Sequence, residues 1–335
     1  MKRVDSVLEL VGKTPLVKIN GLSPNPDVDI YAKLEKFNPM GSIKDRIALY
    51  MIEESEKKGE ITEDTVIVEA TSGNTGLGLA MVCAIKGYHL HLTMSRSVSV
   101  ERMRMLNALG AELELTPADE GTDGAIRKAE KLSKKEGYWR PNQFDNPVNT
   151  MTHYRTTGKE IYEALQAEIT HFAAGMGTTG TLMGVSKFLK KKDPSIKIIG
   201  IEPTKDYNIQ GLKNMTEDRV PEIYEPERLD EIRTIHDDDA FKTARKLALR
   251  EGLFVGMSSG AAMYVSMELA KEIEEGTIVT IFPDGGEKYF STSLFDVTEC
   301  LRCIKEHSGG LEHPPEDLSE YDEELNKLLR EKEKF

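Results

Sequence analysis

The sequence predicts an α/β protein with two lobes, each built on a mostly parallel, twisted sheet that is flanked by helices. Two observations support this prediction: β-rich runs alternate with helical stretches in two separate blocks, and a turn-rich segment divides the blocks. A chain of 335 residues is also long enough to bury two hydrophobic cores. We therefore expect a cleft between two α/β lobes.

The first block alternates between strand and helix from residue 65 to residue 117. Its expected elements are the strand TVIVEA (65–70), the helix NTGLGLAMVCAIKG (74–87), the strand HLHLTM (89–94), the helix VERMRMLNALG (100–110) and the strand ELELTP (112–117). Strands that are joined by crossover helices run parallel to each other. The first block thus predicts one parallel sheet.

The second block repeats this alternation after the segment RPNQFDNPVN (140–149), whose Pro, Asn and Asp residues mark a border. Its expected elements are the strand THFAAG (170–175), the helix TLMGVSKFLKKK (181–192), the strand KIIGIEP (197–203), the helix ARKLALREG (244–252) and the strand TIVTIFPD (277–284). The highly charged segment after about Ser308 is expected to form a helix or a frayed end.

Composition excludes several classes of function. The formal net charge of −13 disfavours binding to nucleic acid or to acidic membrane surfaces. The N-terminal segment is too charged for a signal peptide, and no run approaches the roughly 18 apolar residues of a membrane span. Three cysteines are too few for a disulfide framework, so we expect a cytoplasmic protein in a reducing environment.

The loop GMGTTG (175–180) follows a strand, opens a helix and has the spacing G-x-G-x-x-G, with Glu202 about 20 residues further on. That spacing is typical of a dinucleotide site, but glycine-rich turns at helix N-termini bind any phosphate through backbone N–H groups and the helix dipole. The hydroxyl groups of Thr178, Thr179 and Thr181 suit a single phosphate better than a pyrophosphate. A dinucleotide site, another phosphate site and a plain turn stay open from these residues alone.

Two further loops lie between a strand and a helix. TSGNTG (71–76) combines hydroxyl groups, one amide and backbone N–H groups, which can hold a carboxylate without a cation. Thr, Ser and Asn are also ordinary N-cap residues, so a purely structural turn is the alternative. GMSSGAA (256–262) places Ser258 and Ser259 before another helix and indicates little alone.

The stretch FNPMGSIKDR (37–46) predicts a helix with a lysine in its first turn. Ser42, followed three residues later by Asp45, has the spacing of a capping box, and apolar residues follow at helical spacing. The positive end of the helix dipole and burial both disfavour an ammonium there, so the neutral amine of Lys44 becomes accessible near pH 7. A neutral amine condenses with a carbonyl group, although a solvated lysine is the ordinary alternative.

Seven motifs together resemble one family, the fold-type II pyridoxal-phosphate enzymes, and within it the cysteine synthases. They are VGKTPLVKI (11–19), NPMGSIKDR (38–46), EATSGNTG (69–76), NQFDNP (142–147), GMGTTGT (175–181), GMSSGAA (256–262) and GEKYFSTSLF (286–295). The resemblance implies an active site in the cleft between a large lobe and a smaller, mobile lobe. The implied division is a large cofactor-phosphate-binding lobe of residues 1–36 and 150–308, a small lobe of residues 37–149 with the substrate-carboxylate loop, and a charged tail of residues 309–335.

This resemblance implies pyridoxal 5'-phosphate as the cofactor and Lys44 as the catalytic residue that binds it covalently. Asn74 would hydrogen-bond the ring hydroxyl, and Ser258 would face the ring nitrogen. The phosphate would be held by the loop residues Gly177, Thr178, Thr179, Gly180 and Thr181. The substrate's α-carboxylate would be bound by Thr71, Ser72, Thr75 and Gln143.

The implied reaction is β-replacement, in which a sulfur nucleophile displaces acetyl or phosphate from O-acetyl-L-serine or O-phospho-L-serine to give L-cysteine. A neutral serine does not keep the ring nitrogen protonated, which favours elimination to an aminoacrylate and then addition. Lys44 would be the general base for the α-proton. The implied sulfur source is sulfide or a thiocarboxylated sulfur-carrier protein, and the implied assembly is a homodimer.

The leaving group depends on residues 211–227, which resemble the B-type enzymes that use O-phosphoserine. In those enzymes an arginine of this segment binds the substrate phosphate, and Lys213 stands at the matching position here. Lysine pairs with phosphate but lacks the bidentate fork of arginine. A solvated loop lysine beside Arg219 is the alternative reading of Lys213.

Other functions remain open at this point. A cystathionine β-synthase or a serine dehydratase would use the same scaffold, and a noncatalytic nucleotide-binding protein would be an alternative from another class. Cys300 and Cys303 have the spacing C-x-x-C, but zinc needs a second pair and Cys83 is the one other cysteine, so no metal site is expected. A redox pair and two helical cysteines without a role are the readings left.

Overall fold

We analysed a computed structural model that describes residues 3–71, 73–96, 98, 100–165, 168–216 and 219–307. Within them, the strands are β1 (Leu16–Ile19), β2 (Val28–Leu34), β3 (Val66–Ala70), β4 (His89–Ser95), β5 (Glu112–Thr116), β6 (Tyr138–Trp139), β7 (His171–Gly175), β8 (Lys197–Pro203), β9 (Glu231–Ile235) and β10 (Gly276–Phe282). The helices are α1 (Lys44–Lys58), α2 (Asn74–Lys86), α3 (Val100–Ala108), α4 (Gly121–Leu132), α5 (Pro147–Arg155), α6 (Thr157–Leu165), α7 (Gly180–Lys192), α8 (Asp237–Glu251), α9 (Met257–Glu272) and α10 (Val297–His307).

The strands of the described residues form two sheets, which confirms the α/β class. The larger sheet has the order β1-β2-β10-β7-β8-β9, and its β1–β2 pair is antiparallel while its other pairs are parallel. The smaller sheet has the order β5-β4-β3-β6 and is parallel throughout. The chain thus leaves the larger sheet after β2, builds the smaller sheet, and returns to the larger one at β7. The exact lobe boundaries stay a prediction.

The strands and helices expected in the two blocks are present, with two informative differences in their bounds. The helix expected from residue 244 begins at Asp237, where three successive aspartates stabilise its positive end. The strand expected to reach residue 284 ends at Phe282, because Pro283 has no N–H group for the ladder. The sequence analysis did not identify the short edge strand β9, which carries charged residues.

Both sheets are buried on two faces, as parallel sheets usually are. Along β10, Ile278 and Phe282 join the apolar cluster that contains α8 and α9, whereas Val279 and Ile281 join the cluster that contains α6 and α7. In the smaller sheet, Ile67 packs with α1 and α2 and its neighbour Val68 packs with α4. This alternation keeps the strands rigid beneath the loops at their carboxyl ends.

Two remaining expectations concern membranes and cysteines. None of the helices in the described ranges is long and apolar enough to cross a bilayer. Cys300 and Cys303 both lie on α10, and burial raises the pKa of both thiols. A raised pKa lowers the thiolate fraction, which disfavours a reactive redox pair. The charged tail of residues 309–335 lies outside the described residues.

Candidate active site

The candidate site lies where loops of the two sheets meet. In parallel sheets, the loops at the carboxyl ends of the strands share one edge, and α/β proteins bind ligands there. Asn74, after β3, donates a hydrogen bond of 2.7 Å to Asp284, which follows β10. The backbone N–H of Ile43 donates to the carbonyl of Pro283 at 2.9 Å. The start of α1, the loop after β3 and the loop after β10 are therefore held together.

Lys44 is the first residue of α1, so it lies in the first turn as expected, but the capping box is wrong in its details. The N-cap position is Ile43, whose side chain cannot cap the helix. The Ser42 hydroxyl accepts from the N–H of Lys44 at 3.2 Å and donates to Oδ1 of Asp45 at 3.4 Å. The backbone N–H that Asp45 binds, through Oδ2 at 2.6 Å, belongs to Met40 and not to the N-cap residue. These bonds organise the loop before the helix, and they fix where the Lys44 side chain emerges.

The Lys44 side chain is partly buried, and its surroundings shift the pKa of its amine. Burial lowers the pKa of Lys44 from its ordinary value, and the carboxyl groups of Asp284 and Glu35 oppose that shift. A lowered pKa increases the fraction of neutral amine, which is the form that acts as a nucleophile or as a base. The structure thus supplies the chemical condition that the sequence predicted for this lysine.

The glycine-threonine loop before α7 is shaped for an anion. Thr179 has a positive φ of 64° at the N-cap of α7, and its hydroxyl group is buried without a hydrogen-bond partner in the described residues. A Cβ atom at Gly177 would collide with the carbonyl of Gly211, and one at Gly180 would collide with the Asn149 side chain. A tight turn with an unsatisfied donor at a helix N-terminus is suited to a phosphate.

His153 contacts this loop, and the sequence analysis gave this residue no role. Its Nε2 lies 3.2 Å from the Thr181 hydroxyl oxygen, and its Nδ1 lies 2.9 Å from that of Thr157. Burial lowers the pKa of His153 well below its ordinary value, and the positive charges of Arg46 and Lys44 act in the same direction. A neutral His153 therefore links the glycine-threonine loop to the start of α6. No metal-binding spacing marked this histidine, and its contacts became visible in the fold.

The loop after β3 is connected to the phosphate loop through a chain of hydrogen bonds. Thr75 donates to Gln143 at 2.7 Å, and Asn149 donates both to the Gln143 carbonyl at 2.8 Å and to the Thr178 hydroxyl at 3.1 Å. The Thr71 hydroxyl accepts from the N–H of Gly73 at 3.3 Å. Three of the four residues expected at the α-carboxylate thus belong to the same region of the structure.

The fourth of these residues, Ser72, lies outside the described residues. Gln143 is itself oriented by a buried carboxylate, because its N–H donates to Glu69 at 3.2 Å. Arg140 lies 3.4 Å from the other oxygen of Glu69. The side chain of Gln143 is therefore presented from a fixed backbone.

Ser258, the second residue of α9, is 5% exposed, and its hydroxyl group makes no hydrogen bond within the described residues. Gly211 lies opposite, since a Cβ atom at Gly211 would be 4.0 Å from the Ser258 hydroxyl oxygen. Gly177 packs against the same glycine. Ser258 and Gly177 of the glycine-threonine loop are thus both neighbours of Gly211.

Lys213 lies beside the segment that carries Gln143. Its ammonium nitrogen is 5.3 Å from the centroid of the Phe144 ring, and its backbone N–H donates to the Met176 carbonyl at 2.7 Å. Arg219 instead donates to Asp145 at 2.9 Å and is half exposed. The backbone of Lys213 is therefore anchored to Met176, the residue that follows β7.

Glu202 binds a backbone group of the protein, so it is not available as a ligand of a ribose. Its carboxylate is buried and accepts from the N–H of Met215 at 3.0 Å. In a dinucleotide site, the acidic residue after the second strand would hydrogen-bond the ribose. Because Glu202 holds a loop instead, the structure favours a monophosphate site.

A buried ionic network lies behind Lys44. Arg46 is 1% exposed and donates to both oxygens of Glu35, at 2.7 and 2.9 Å, and to both oxygens of Glu160, at 2.7 and 2.8 Å. Lys33 of β2 pairs with Glu160 at 2.8 Å. The network joins α1 to β2 and α6, and it secures the helix that begins with Lys44.

Three comparisons relate the chain to known proteins. Residues 7–284 match the family described as "Pyridoxal-phosphate dependent enzyme". The chain is 45% identical over 303 residues to a cysteine synthase of Staphylococcus aureus, covering 88% of this chain and 98% of that protein. It is 42% identical over 292 residues to cysteine synthase B of Salmonella typhimurium, covering 87% of this chain and 96% of that protein. The crystal structure of cysteine synthase (OASS) from Entamoeba histolytica matches with a TM-score of 0.84 and 37% identity, covering 91% of this chain and 97% of that chain.

Proposed function

Because this chain belongs to the pyridoxal-phosphate dependent enzymes, and within them to the cysteine synthases, we propose that Lys44 and the loop 177–181 form its coenzyme site. The reaction is the formation of L-cysteine from an O-activated L-serine and a sulfur nucleophile. The observation that carries the assignment of the site is the partly buried Lys44, whose lowered pKa makes a neutral amine available, in a fold whose loop 177–181 has a buried, unpartnered hydroxyl group on Thr179.

The residues of the site fit pyridoxal 5'-phosphate. Thr179 has a buried hydroxyl group without a partner, and Gly177 and Gly180 have no room for a side chain, as expected of a close-fitting phosphate loop. The proposed coenzyme ligands are Lys44, Asn74, Gly177, Thr178, Thr179, Gly180, Thr181 and Ser258. When bound, the coenzyme supplies an electron-withdrawing ring that makes the substrate's α-proton removable.

The substrate is held and deprotonated by residues of this chain. Thr71, Ser72, Thr75 and Gln143 would bind the α-carboxylate at the N-terminus of α2, where backbone N–H groups and the helix dipole favour an anion. The neutral amine of Lys44 would accept the α-proton at Nζ. Ser258 offers a neutral hydroxyl group, which favours elimination and addition over a long-lived carbanion.

A direct experiment tests the coenzyme site. The purified enzyme is reduced with borohydride and digested, and the peptide that carries the coenzyme is sequenced. We expect the label on Lys44, because borohydride traps a lysine that is joined to an aldehyde. A label on Lys36 or on Lys288 would contradict the proposal.

Substitution of Gly180 by alanine should weaken coenzyme binding by about tenfold or more, because the new Cβ atom displaces Asn149 from Thr178 and Gln143. The measurement is the coenzyme released from the holoenzyme on dilution. Gly59→Ala is the control, because a Cβ atom at Gly59 would meet open space at the far end of α1, while its positive φ of 69° makes the alanine destabilising. An equal loss of coenzyme in both variants would show that general destabilisation is the cause.

We propose that the substrate is O-acetyl-L-serine or O-phospho-L-serine and that Lys213 binds the phosphate of the latter. The position of Lys213 beside Phe144 and its backbone bond to Met176 support this role. Lys213→Ala should reduce kcat/KM for O-phospho-L-serine by about tenfold and leave O-acetyl-L-serine unaffected, as expected for one lost charge-assisted contact. Lys205→Ala removes an exposed lysine of the same region as a control. A large preference of the wild type for the acetyl ester that stays unchanged in Lys213→Ala would rule out O-phospho-L-serine as the substrate.

The proposal also includes the sulfur donor, a homodimeric assembly and a cytoplasmic location. Turnover with sulfide, compared with turnover on a thiocarboxylated carrier protein, identifies the sulfur source. Exposed apolar side chains such as Leu10, Phe37 and Phe290 support a homodimer, which the mass of the enzyme in solution tests. The three cysteines of the chain support action in the reducing cytoplasm, which cell fractionation tests.

A further inference from the structure

We propose that Lys288 and Asp284 are positioning residues that set the direction of the Asn74 side-chain amide, so that an N–H group, and not the carbonyl oxygen, faces the coenzyme. The inference rests on the proposed function, in which Asn74 lies next to the ring hydroxyl. It concerns two residues that follow β10, in the larger sheet, and act on a residue that follows β3, in the smaller sheet.

Lys288 holds the oxygen end of the amide. Its ammonium group donates to Oδ1 of Asn74 at 2.7 Å, to the Met40 carbonyl at 2.8 Å and to the Gly41 carbonyl at 3.2 Å. Burial lowers the pKa of Lys288, and the nearby carboxyl groups of Asp284, Asp45 and Glu287 oppose that shift. The three oxygen acceptors around Nζ match the three N–H donors of an ammonium. Every donor of Lys288 therefore points to an oxygen, and the Asn74 atom that faces Lys288 must be the acceptor.

Asp284 holds the nitrogen end of the same amide. Its Oδ2 accepts from Nδ2 of Asn74 at 2.7 Å and from the Tyr289 hydroxyl at 2.6 Å. Asp284 and the Tyr289 ring also lie close to the backbone of Gly256, since a Cβ atom at Gly256 would collide with both. Burial raises the pKa of Asp284, and Lys288, Tyr289 and Asn74 oppose that shift by stabilising the ionised form. An ionised carboxylate has no donor, so the Asn74 atom that faces it is the N–H group.

The reversed amide would lose both bonds. It would place the Asn74 carbonyl oxygen against a carboxylate oxygen and the NH₂ group against an ammonium, which are two repulsive contacts in a partly buried place. The observed direction uses one N–H of Nδ2 on Asp284 and leaves the second N–H for another acceptor. The coenzyme's ring oxygen is such an acceptor, whereas a carbonyl oxygen at this point would repel it.

Lys288 also touches the loop before Lys44, so its effect has two possible routes. One route runs through Asn74, and the other runs through the carbonyl groups of Met40 and Gly41 at the start of α1. A double-variant cycle separates them, since two changes that act through one contact are not additive.

The experiment compares the purified holoenzymes of Lys288→Met, Lys288→Arg, Asn74→Ala and the double variant Asn74→Ala/Lys288→Met. The readouts are the visible absorption spectrum of the bound coenzyme and the coenzyme released on dilution. Lys36→Met is the matched control, because Lys36 is also a partly buried lysine that donates to a backbone carbonyl, that of Phe254, at 2.9 Å.

We expect Lys288→Met to shift the coenzyme spectrum and to weaken coenzyme binding by about tenfold, as for one lost hydrogen bond to a charged group. Lys288→Arg should keep most of the binding, Lys36→Met should resemble the wild type, and the double variant should be no worse than Asn74→Ala. Additive losses in the double variant, or a Lys288→Met holoenzyme with the wild-type spectrum and affinity, would overturn the inference. A wild-type enzyme that carries no coenzyme on Lys44 would overturn the proposed function itself.

Discussion

Replacement of Lys44 by alanine should abolish L-cysteine formation, with a loss of turnover of about 10²–10⁴-fold from the missing general base alone. The variant also lacks the amine that we propose holds the coenzyme, so the loss should lie at the upper end of this range. The physical reason is that the structure offers one partly buried amine with a lowered pKa at this position, and alanine can neither condense with an aldehyde nor accept a proton. The measurement is L-cysteine formed per enzyme with sulfide and either activated serine.

Two controls make the Lys44 result specific. Lys44→Arg keeps the positive charge and much of the volume, but a guanidinium stays protonated and forms no covalent link, so it should not restore turnover. Lys36→Met removes a neighbouring lysine and should leave turnover near the wild-type value. A Lys44→Ala enzyme that keeps full turnover and the absorption of a lysine-bound coenzyme would show that the site has been assigned to the wrong residue.

Replacement of Arg46 by methionine should lower the free energy of unfolding by about 3–5 kcal/mol, which is the usual cost of breaking a buried ion pair by removing one partner. Glu35 is 0% exposed and accepts two bonds from Arg46, so the variant leaves a buried carboxylate without its cation. Urea denaturation at neutral pH measures the loss. The control is Arg228→Met, because Arg228 and Glu225 form a partly exposed pair that should contribute no more than about 1 kcal/mol.

The acid dependence of stability gives the Arg46 prediction a second readout. Arg46 and Lys33 hold the pKa of Glu160 at about 2, against an ordinary value of 4.5, although burial opposes them. The unfolded chain binds the proton in that window and the native state does not, so the free energy of unfolding should fall as the pH drops from 4.5 towards 2. In Arg46→Met this acid-dependent fall should be smaller. An unchanged slope would mean that the pair contributes nothing to the native state.

The network also explains why Lys44 has a fixed position. Arg46 follows Lys44 by two residues on α1, and its partners Glu35 and Glu160 belong to the segment after β2 and to α6. A helix that is tied to two other elements cannot shift along its axis without separating buried charges, which is costly. We therefore expect Arg46→Met to slow turnover as well as to reduce stability.

Much of the fold could be predicted from short-range patterns. Strands such as KIIGIEP (197–203) are continuous apolar runs between turns, and helix α7 follows a glycine-rich loop, so their positions are encoded within a few residues. Motifs of consecutive residues, such as GMGTTGT (175–181), predicted the position of the glycine-threonine loop before α7 in the same way. The sequence analysis did not identify β1 and β2, which pair antiparallel with each other, while β2 also pairs parallel with β10. Partners as distant in the sequence as β10 decide whether such segments become strands.

The candidate site was predictable where its residues lie in loops with a recognisable composition. Lys44, Asn74 and the threonines of the phosphate loop belong to this group. Asp284 and Lys288 were missed as functional residues although they lie at and beyond the carboxyl end of β10, where residues of α/β sites commonly occur. That position in the sheet is the signal that could have identified them.

The amino-acid sequence alone was sufficient for the α/β class, the parallel sheets, the helix that starts with Lys44 and the glycine-threonine loop, because apolar periodicity and turn residues act over a few positions. The contacts that prepare the site required the folded chain. Asn74 meets Asp284 and Lys288 from more than 200 positions away, with |i−j| of 210 and 214, and Arg46 meets Glu160 with |i−j| of 114. Such partners are chosen by strand order and sheet packing, and the burial that shifts the pKa of Lys44 exists when the two sheets have come together.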